Sequence, residues 1–329
     1  MNKKTAAKII FSSVLIAALI MLVRFDKAAE ALSTINMQLF ITATLLVVPL
    51  MFSAFARWKL LLMSNGVEVP FKPASLIYMI GMFFSFITPS KIGTLVKFYY
   101  LKKNYSIPSG VSFSLALMDK IFDLLIVATV TVTGLFVFSG LSSGALSYLP
   151  LLSAVVIIAL FFVLFLSKSA FMKVMVPLMS RLKFAGRFFR MGSIDEKKAA
   201  SDVYEPFSVL RKKHGYLAGV LFFSALYWVI FAAQLTLLMA SFGLTIGIIT
   251  ALLIACTSSA VSFIPVSVGG IGTRDASLVY LLSLFGVVYE KAILVSILLF
   301  LITQFIMMIA GGLTYMLSGL KAGGKDRQW

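Results

Sequence analysis

Ser85-Phe86-Ile87-Thr88-Pro89-Ser90-Lys91-Ile92-Gly93-Thr94 recurs, with two residues inserted, as Ser262-Phe263-Ile264-Pro265-Val266-Ser267-Val268-Gly269-Gly270-Ile271-Gly272-Thr273. Each copy is an apolar segment broken by proline and glycine, with basic residues at or just after the break. The separation of paired positions stays between 177 and 180 residues across Ser85/Ser262, Ile92/Ile271 and Ile107/Val287, as a duplicated unit requires. Hydrophobic segments interrupted at matching positions of two halves point to a transporter binding site.

Composition sets the class around these breaks. With 60% hydrophobic residues and a mean hydropathy of +1.03, the chain is not a soluble globular domain. Apolar runs long enough for a ~30 Å hydrocarbon core occur repeatedly. The formal charge of +17, from 29 basic and 12 acidic residues, reflects loop cations held in the cytoplasm and implies no nucleic-acid partner. The single Cys256 leaves no disulfide or cysteine-based metal site. No small-residue cleavage site follows Val23, and Arg24, Asp26, Lys27 and Glu30 come next, so the N-terminal apolar stretch is expected to be an uncleaved helix.

Full spans read as 9–23, 37–56, 111–138, 146–166, 216–241 and 292–318, with weaker segments at 74–90 continuing to 101 and at 246–264 continuing to 286. Lys and Arg crowd the N-terminus, the 57–72 connection (Arg57, Lys59, Lys72), the 91–103 region, the 167–213 connection and the C-terminus. The positive-inside rule then puts both termini in the cytoplasm of a multi-pass cell-membrane protein. It holds only if each weaker segment enters and leaves by one face, the first from the cytoplasm and the second from outside. The expectation is an all-α polytopic membrane protein with six full spans and two opposed re-entrant hairpins in an inverted-topology repeat. It forms a single membrane domain, with 1–140 as the first repeat and 141–329 as the second. Eight simple spans are the alternative, but they would put Lys91 to Lys103 outside, against the charge bias. Within 167–213, Phe171, Val174, Met175, Leu178, Met179 and Leu182 recur at helical spacing among eleven basic and four acidic residues. This reads as a basic amphipathic connection on an anionic cytoplasmic leaflet, or as a plain anchoring loop.

Three charges interrupt the 111–138 span. Asp119 falls ~15 Å along a helix that starts near Ser109, close to the bilayer midplane. A charge there costs ~2.5–3.5 kcal/mol on the lenient insertion scale. Asp119 and Asp123 share a face, and Lys120 reaches Asp123 at i+3. The cluster either ties helices together structurally or handles substrate or protons; Leu299, Phe300 and Thr303 occupy the corresponding positions of the second half. In the second break, Gly269, Gly270 and Gly272 permit close backbone approach, with Arg274 and Asp275 following. Free amides at a half-helix N-terminus beside Arg274 suit a phosphate oxygen, and Lys91, Gly93 and Lys97 make a similar arrangement in the first half. A tight turn with a snorkelling arginine is the simpler reading.

Thr88-Pro89-Ser90-Lys91-Ile92-Gly93, Asp119-Lys120-x-x-Asp123 and Pro265-x-x-x-Gly269-Gly270-Ile271-Gly272-Thr273-Arg274-Asp275 together resemble the lysylphosphatidylglycerol synthase transmembrane region, also called the flippase-like domain family. The resemblance covers nearly the whole chain. It implies movement of charged lipid between leaflets, or a place beside polyprenyl-linked glycan pathways. The family more often has Arg at Lys91, Glu at Thr94, Glu-Arg at Asp119-Lys120 and Glu at Asp275. No synthase domain precedes Trp329, so lipid synthesis is not expected.

The function expected is therefore transbilayer movement, or flipping, of an anionic or phosphate-bearing lipid, either an aminoacylated phospholipid or a polyprenyl-linked one. Lys91, Lys97 and Arg274 attract the phosphate, while Asp119 and Asp123 balance that charge or hold a cationic headgroup. No Gly-x-x-x-x-Gly-Lys-Ser/Thr sequence exists to use ATP, so no cofactor is expected and coupling falls to a gradient or protons. His214 is the lone histidine, and no catalytic or metal constellation is visible, so no enzyme activity is expected. The alternatives are a non-transporting subunit of a glycosyltransferase or envelope-lipid complex and a lipid-phosphate enzyme. A homo-oligomer or an envelope-biosynthesis partner fits either membrane role.

Overall fold

The computed structural model describes residues 33, 35–88, 91–138, 167–173, 176–177, 196–263, 267 and 270–318. Among them every regular element is helical. The helices are α1 (Met37–Leu45), α2 (Val47–Ser64), α3 (Phe71–Ile87), α4 (Val96–Tyr105), α5 (Ser109–Phe138), α6 (Glu196–Lys212), α7 (His214–Ser241), α8 (Ile248–Val261), α9 (Thr273–Ser283), α10 (Tyr289–Leu299) and α11 (Ile306–Leu317). A π-helical turn, Phe300–Phe305, joins α10 to α11, and a 3₁₀ turn, Ile92–Leu95, precedes α4.

Four apolar stretches are long enough to cross a bilayer: Met37–Ser64, Ser109–Phe138, His214–Ser241 and Tyr289–Leu317, of 28, 30, 28 and 29 residues. At ~1.5 Å per residue each exceeds the ~30 Å hydrocarbon core. They match four of the six spans read from sequence; 9–23 and 146–166 lie outside the described residues. The first needs correcting at its end. It does not stop at 56 with Arg57 and Lys59 in a loop, but runs to Ser64. Leu61 and Leu62 are fully buried and continue the apolar face, and Arg57 is neutralised inside the protein.

Each of the two weaker segments forms two helices separated by a break. Helices α3 (17 residues) and α8 (14 residues) fall short of a full span at ~1.5 Å per residue, and each packs against the helix that follows its break, α4 and α9. In the first break Lys91 takes a left-handed conformation (φ 53°). The Thr88 hydroxyl donates to the Phe84 carbonyl at 2.7 Å and accepts the Gly93 amide at 2.7 Å. Gly93 is required because a Cβ there would lie 2.0 Å from the Phe84 carbonyl oxygen. In the second break Gly270 (φ 81°) sits where a Cβ would come within 2.2 Å of the Ser262 Cβ. Pro89, Ser90, Pro265 and Gly269 lie outside the described residues.

Helix α2 packs along α7, α3 along α11, and α8 along α5. Two apolar cores result, one centred on α2 to α6 and the other on α7 to α11, and Met82 and Tyr227 touch both. The connection after α5 contributes to the first core: Phe171 is buried against Tyr204 and Phe207 of α6, and α6 lies on α5. The Ser114 hydroxyl donates to the Val203 carbonyl at 2.6 Å. The apolar face of Phe171 and α6 is therefore turned to protein; Val174, Met175, Leu178, Met179 and Leu182 lie outside the described residues.

Candidate functional site

At the seam between the cores lies a cavity of about 70 Å³. Arg57 of α2, Asp119, Lys120 and Asp123 of α5, and Lys91 at the tip of the first hairpin give it charge. Tyr78, Phe86, Tyr227, Trp228 and Phe263 give it aromatic walls, and Thr303 and Gln304 face it from the π-helical turn. Such turns insert one extra residue per turn and recur at functional sites. Thr303 donates to Gln234 at 2.8 Å, and Gln234 in turn donates to the Ala43 carbonyl at 3.0 Å, so this wall is neutral and fixed.

Two carboxylates organise the charged wall. Asp119, only 4% exposed, accepts from the Arg57 Nε at 2.8 Å and from the Lys97 ammonium. Lys97 is fully buried between the rings of Trp58 and Tyr78, 4.4 and 5.0 Å from their centroids, with its stem laid over Gly81. Asp123 accepts from the Trp228 indole at 3.1 Å and lies 3.6 and 3.7 Å from Arg57 and Lys120. One helix thereby anchors α2 and α4 through buried ion pairs and α7 through the Trp228 hydrogen bond, contacts that low dielectric makes costly to break.

The candidate residues from sequence separate into three places. Lys91, Asp119, Lys120 and Asp123 line the cavity together. Lys97 stands behind Asp119 as its partner, and Gly93 holds the hairpin turn. Gly270, Gly272, Arg274 and Asp275 form a separate cluster in the second break; Gly269 lies outside the described residues. There Asp275 accepts the Gly272 amide at 2.9 Å, the Ser296 hydroxyl at 2.8 Å and the Arg274 guanidinium at 2.5 Å. The Gly272 amide and the Arg274 Nη2, two of the donors that sequence reserved for a phosphate, are engaged by the protein's own carboxylate; the Arg274 Nη1 finds no acceptor among the described residues, and Arg274 is only 2% exposed. Arg274→Gln is accordingly expected to cost about 1.5–3 kcal/mol of stability, the usual worth of a hydrogen bond to a charged group. Adding Asp275→Asn should recover part of that loss in detergent melting curves. An Arg274→Gln protein that melts like the parent would show that Asp275 does not depend on this arginine.

Arg57 is the main residue that sequence reasoning missed. The signal was the apolar run Leu60 to Met63, which resumes after Arg57 and Lys59 and which a span ending at 56 does not use. Phe263 was missed as a partner too. The Lys91 and Lys120 ammonium groups lie 5.7 and 4.2 Å from the centroid of its ring, so one aromatic ring at the second break serves two cations from earlier in the chain.

A helical bundle with four long apolar spans and a charged cavity beside two broken helical segments is a multi-pass membrane protein. The chain belongs to the lysylphosphatidylglycerol synthase TM region family, whose pattern matches residues 6–311. It is 27% identical over 322 residues to a UPF0104 membrane protein of Methanocaldococcus jannaschii, covering 94% of this chain and 93% of that one. A UPF0104 membrane protein of Methanothermobacter thermautotrophicus is 22% identical over 298 residues, covering 87% of each chain.

Proposed function

We propose that this protein moves a phosphate-bearing lipid between the two leaflets of the cell membrane. The observation that carries the reading is the charged cavity at the seam of the two cores, lined by the tips of both hairpins through Lys91 and Phe263. Ionisable groups at membrane depth are expensive and are retained where a polar cargo must pass. The lipid's headgroup enters the cavity while its chains remain in the bilayer. Transport, not catalysis, is the activity, and motion of one hairpin-bearing unit against the other supplies alternating access.

The architecture proposed with it has six spans and two opposed re-entrant hairpins, both termini being cytoplasmic. Its support is reciprocal packing: α3 of the first unit lies on α11 of the second, α8 of the second lies on α5 of the first, and the equivalent α2 and α7 pair with each other. Twofold-related units exchange partners in this way. Single cysteines at the exposed positions Asn104 and Tyr289, in a Cys256→Ala background, should react with an impermeant maleimide from opposite sides of the membrane. Labelling of both from one side would sink the inverted arrangement.

The activity is tested by leaflet exchange of fluorescent anionic phospholipids in proteoliposomes. Exchange should exceed that of protein-free vesicles and yield chemically unchanged lipid. Vesicles that exchange no faster than empty ones would end the transport reading, and an altered lipid would make the protein an enzyme.

A further inference from the structure

The described charges around the cavity do not balance. Arg57, Lys91, Lys97 and Lys120 are four cations, and Asp119 and Asp123 are two carboxylates. The nearby Arg274 and Asp275 neutralise each other. Counted as formal charges, two positives are therefore left over at a site walled by aromatic, apolar and neutral polar side chains, where unpaired charge is costly. The excess has a location. Among the described residues no carboxylate lies within ion-pair distance of Lys91, whose ammonium lies over the Phe263 ring. Lys120 shares Asp123 with Arg57, at distances beyond a good hydrogen bond for both. The Arg57 Nη1 is buried and finds no hydrogen-bond acceptor among the described residues.

We propose that this cavity binds a phosphomonoester dianion, a compact terminal phosphate whose two negative charges match the two unbalanced positive ones. Lys91, Lys120 and the Arg57 Nη1 are its donors, and charge-assisted bonds of this kind are the strong ones. Size points the same way. A cavity of about 70 Å³ holds on the order of five waters at ~10–15 Å³ each, which suits a phosphoryl group and not a glycan chain. An aminoacylated headgroup would bring its ammonium into a field that is already positive and would be disfavoured. The dianion belongs either to a lipid monophosphate or to free phosphate. The lipid source rests on the proposed transport function; the charge match does not.

The test uses the full chain in zwitterionic phosphatidylcholine vesicles at pH ~8, above the second phosphate pKa of ~6. Acyl-labelled phosphatidic acid should change leaflets about tenfold faster than phosphatidylglycerol, since only it carries the second charge to pair, and lysylphosphatidylglycerol should be slowest. Lys91→Gln removes one excess charge and no ion pair. It should melt like the parent yet lose most of the preference for phosphatidic acid, and Lys91→Arg should keep it. Lys102→Gln, exposed near the end of α4, should change nothing. Phosphatidylglycerol or lysylphosphatidylglycerol moving as fast as phosphatidic acid would overturn the dianion site and leave lipid transport standing. An unchanged preference in a folded Lys91→Gln protein would overturn it as well. If no lipid moves but inorganic phosphate raises the melting temperature saturably, and Lys91→Gln abolishes that rise, the dianion site is upheld and transport falls. Absence of both effects ends both.

Discussion

Asp119→Ala is expected to leave little folded protein. The substitution strands Lys97 and takes from Arg57 its one hydrogen-bonded carboxylate among the described residues, leaving it only the longer 3.6 Å contact to Asp123; both cations are at least nine-tenths buried. Removing one partner of a buried pair costs ~3–5 kcal/mol because the other charge stays in low dielectric. The total stability of a domain is only about 5–15 kcal/mol, so a loss at two sites takes a large share of it. The check is the melting temperature and the monodisperse yield in detergent, beside a triple variant with Arg57→Met, Lys97→Met and Asp119→Leu. Apolar replacement of a whole buried charge group is often neutral, so the triple variant should recover most of the stability. An Asp119→Ala protein as stable as the parent would mean that the carboxylate does not hold α2, α4 and α5 together.

Gly93→Ala should be nearly as damaging by a steric route. The added Cβ would sit 2.0 Å from the Phe84 carbonyl oxygen and 2.6 Å from the Thr88 hydroxyl. The first of these atoms is backbone within α3, so no side chain can swing away to relieve the contact. The hairpin would have to open, withdrawing Lys91 from the cavity and Lys97 from Asp119. Overpacking usually costs ~1–3 kcal/mol, and a backbone clash belongs at or above the top of that range. Gly66→Ala is the informative comparison: Gly66 has positive φ (68°), but nothing stands within 4 Å of its would-be Cβ. Its loss should be limited to backbone strain of about 1–2 kcal/mol. Equal melting temperatures for Gly93→Ala and the parent would overturn the close packing assigned to this turn.

Much of this protein is legible in its sequence, because membrane insertion is a local property. A run of apolar residues carries its own hydrogen bonds in a helix and needs no neighbour to be recognised, which is why 111–138, 216–241 and 292–318 were found near their limits and 37–56 at its start. The breaks were legible for the same reason, since Pro and Gly interrupt a helix wherever it packs. Asp119, Lys120 and Asp123 stood out because charge in an apolar segment always requires a reason. What tertiary structure alone decided is which charges meet. Arg57 looked like the start of a loop because a hydropathy window ends at a charge, yet Asp119, 62 positions later, neutralises it and lets the helix continue. Lys91, Lys97 and Arg274 were alike as sequence. Packing gave Lys97 to Asp119 and Arg274 to Asp275, and left Lys91 facing the cavity over the ring of Phe263, with no described carboxylate in ion-pair reach. The fate of a buried charge depends on what lies within a few ångströms of it, and those neighbours come from helices far apart in the chain.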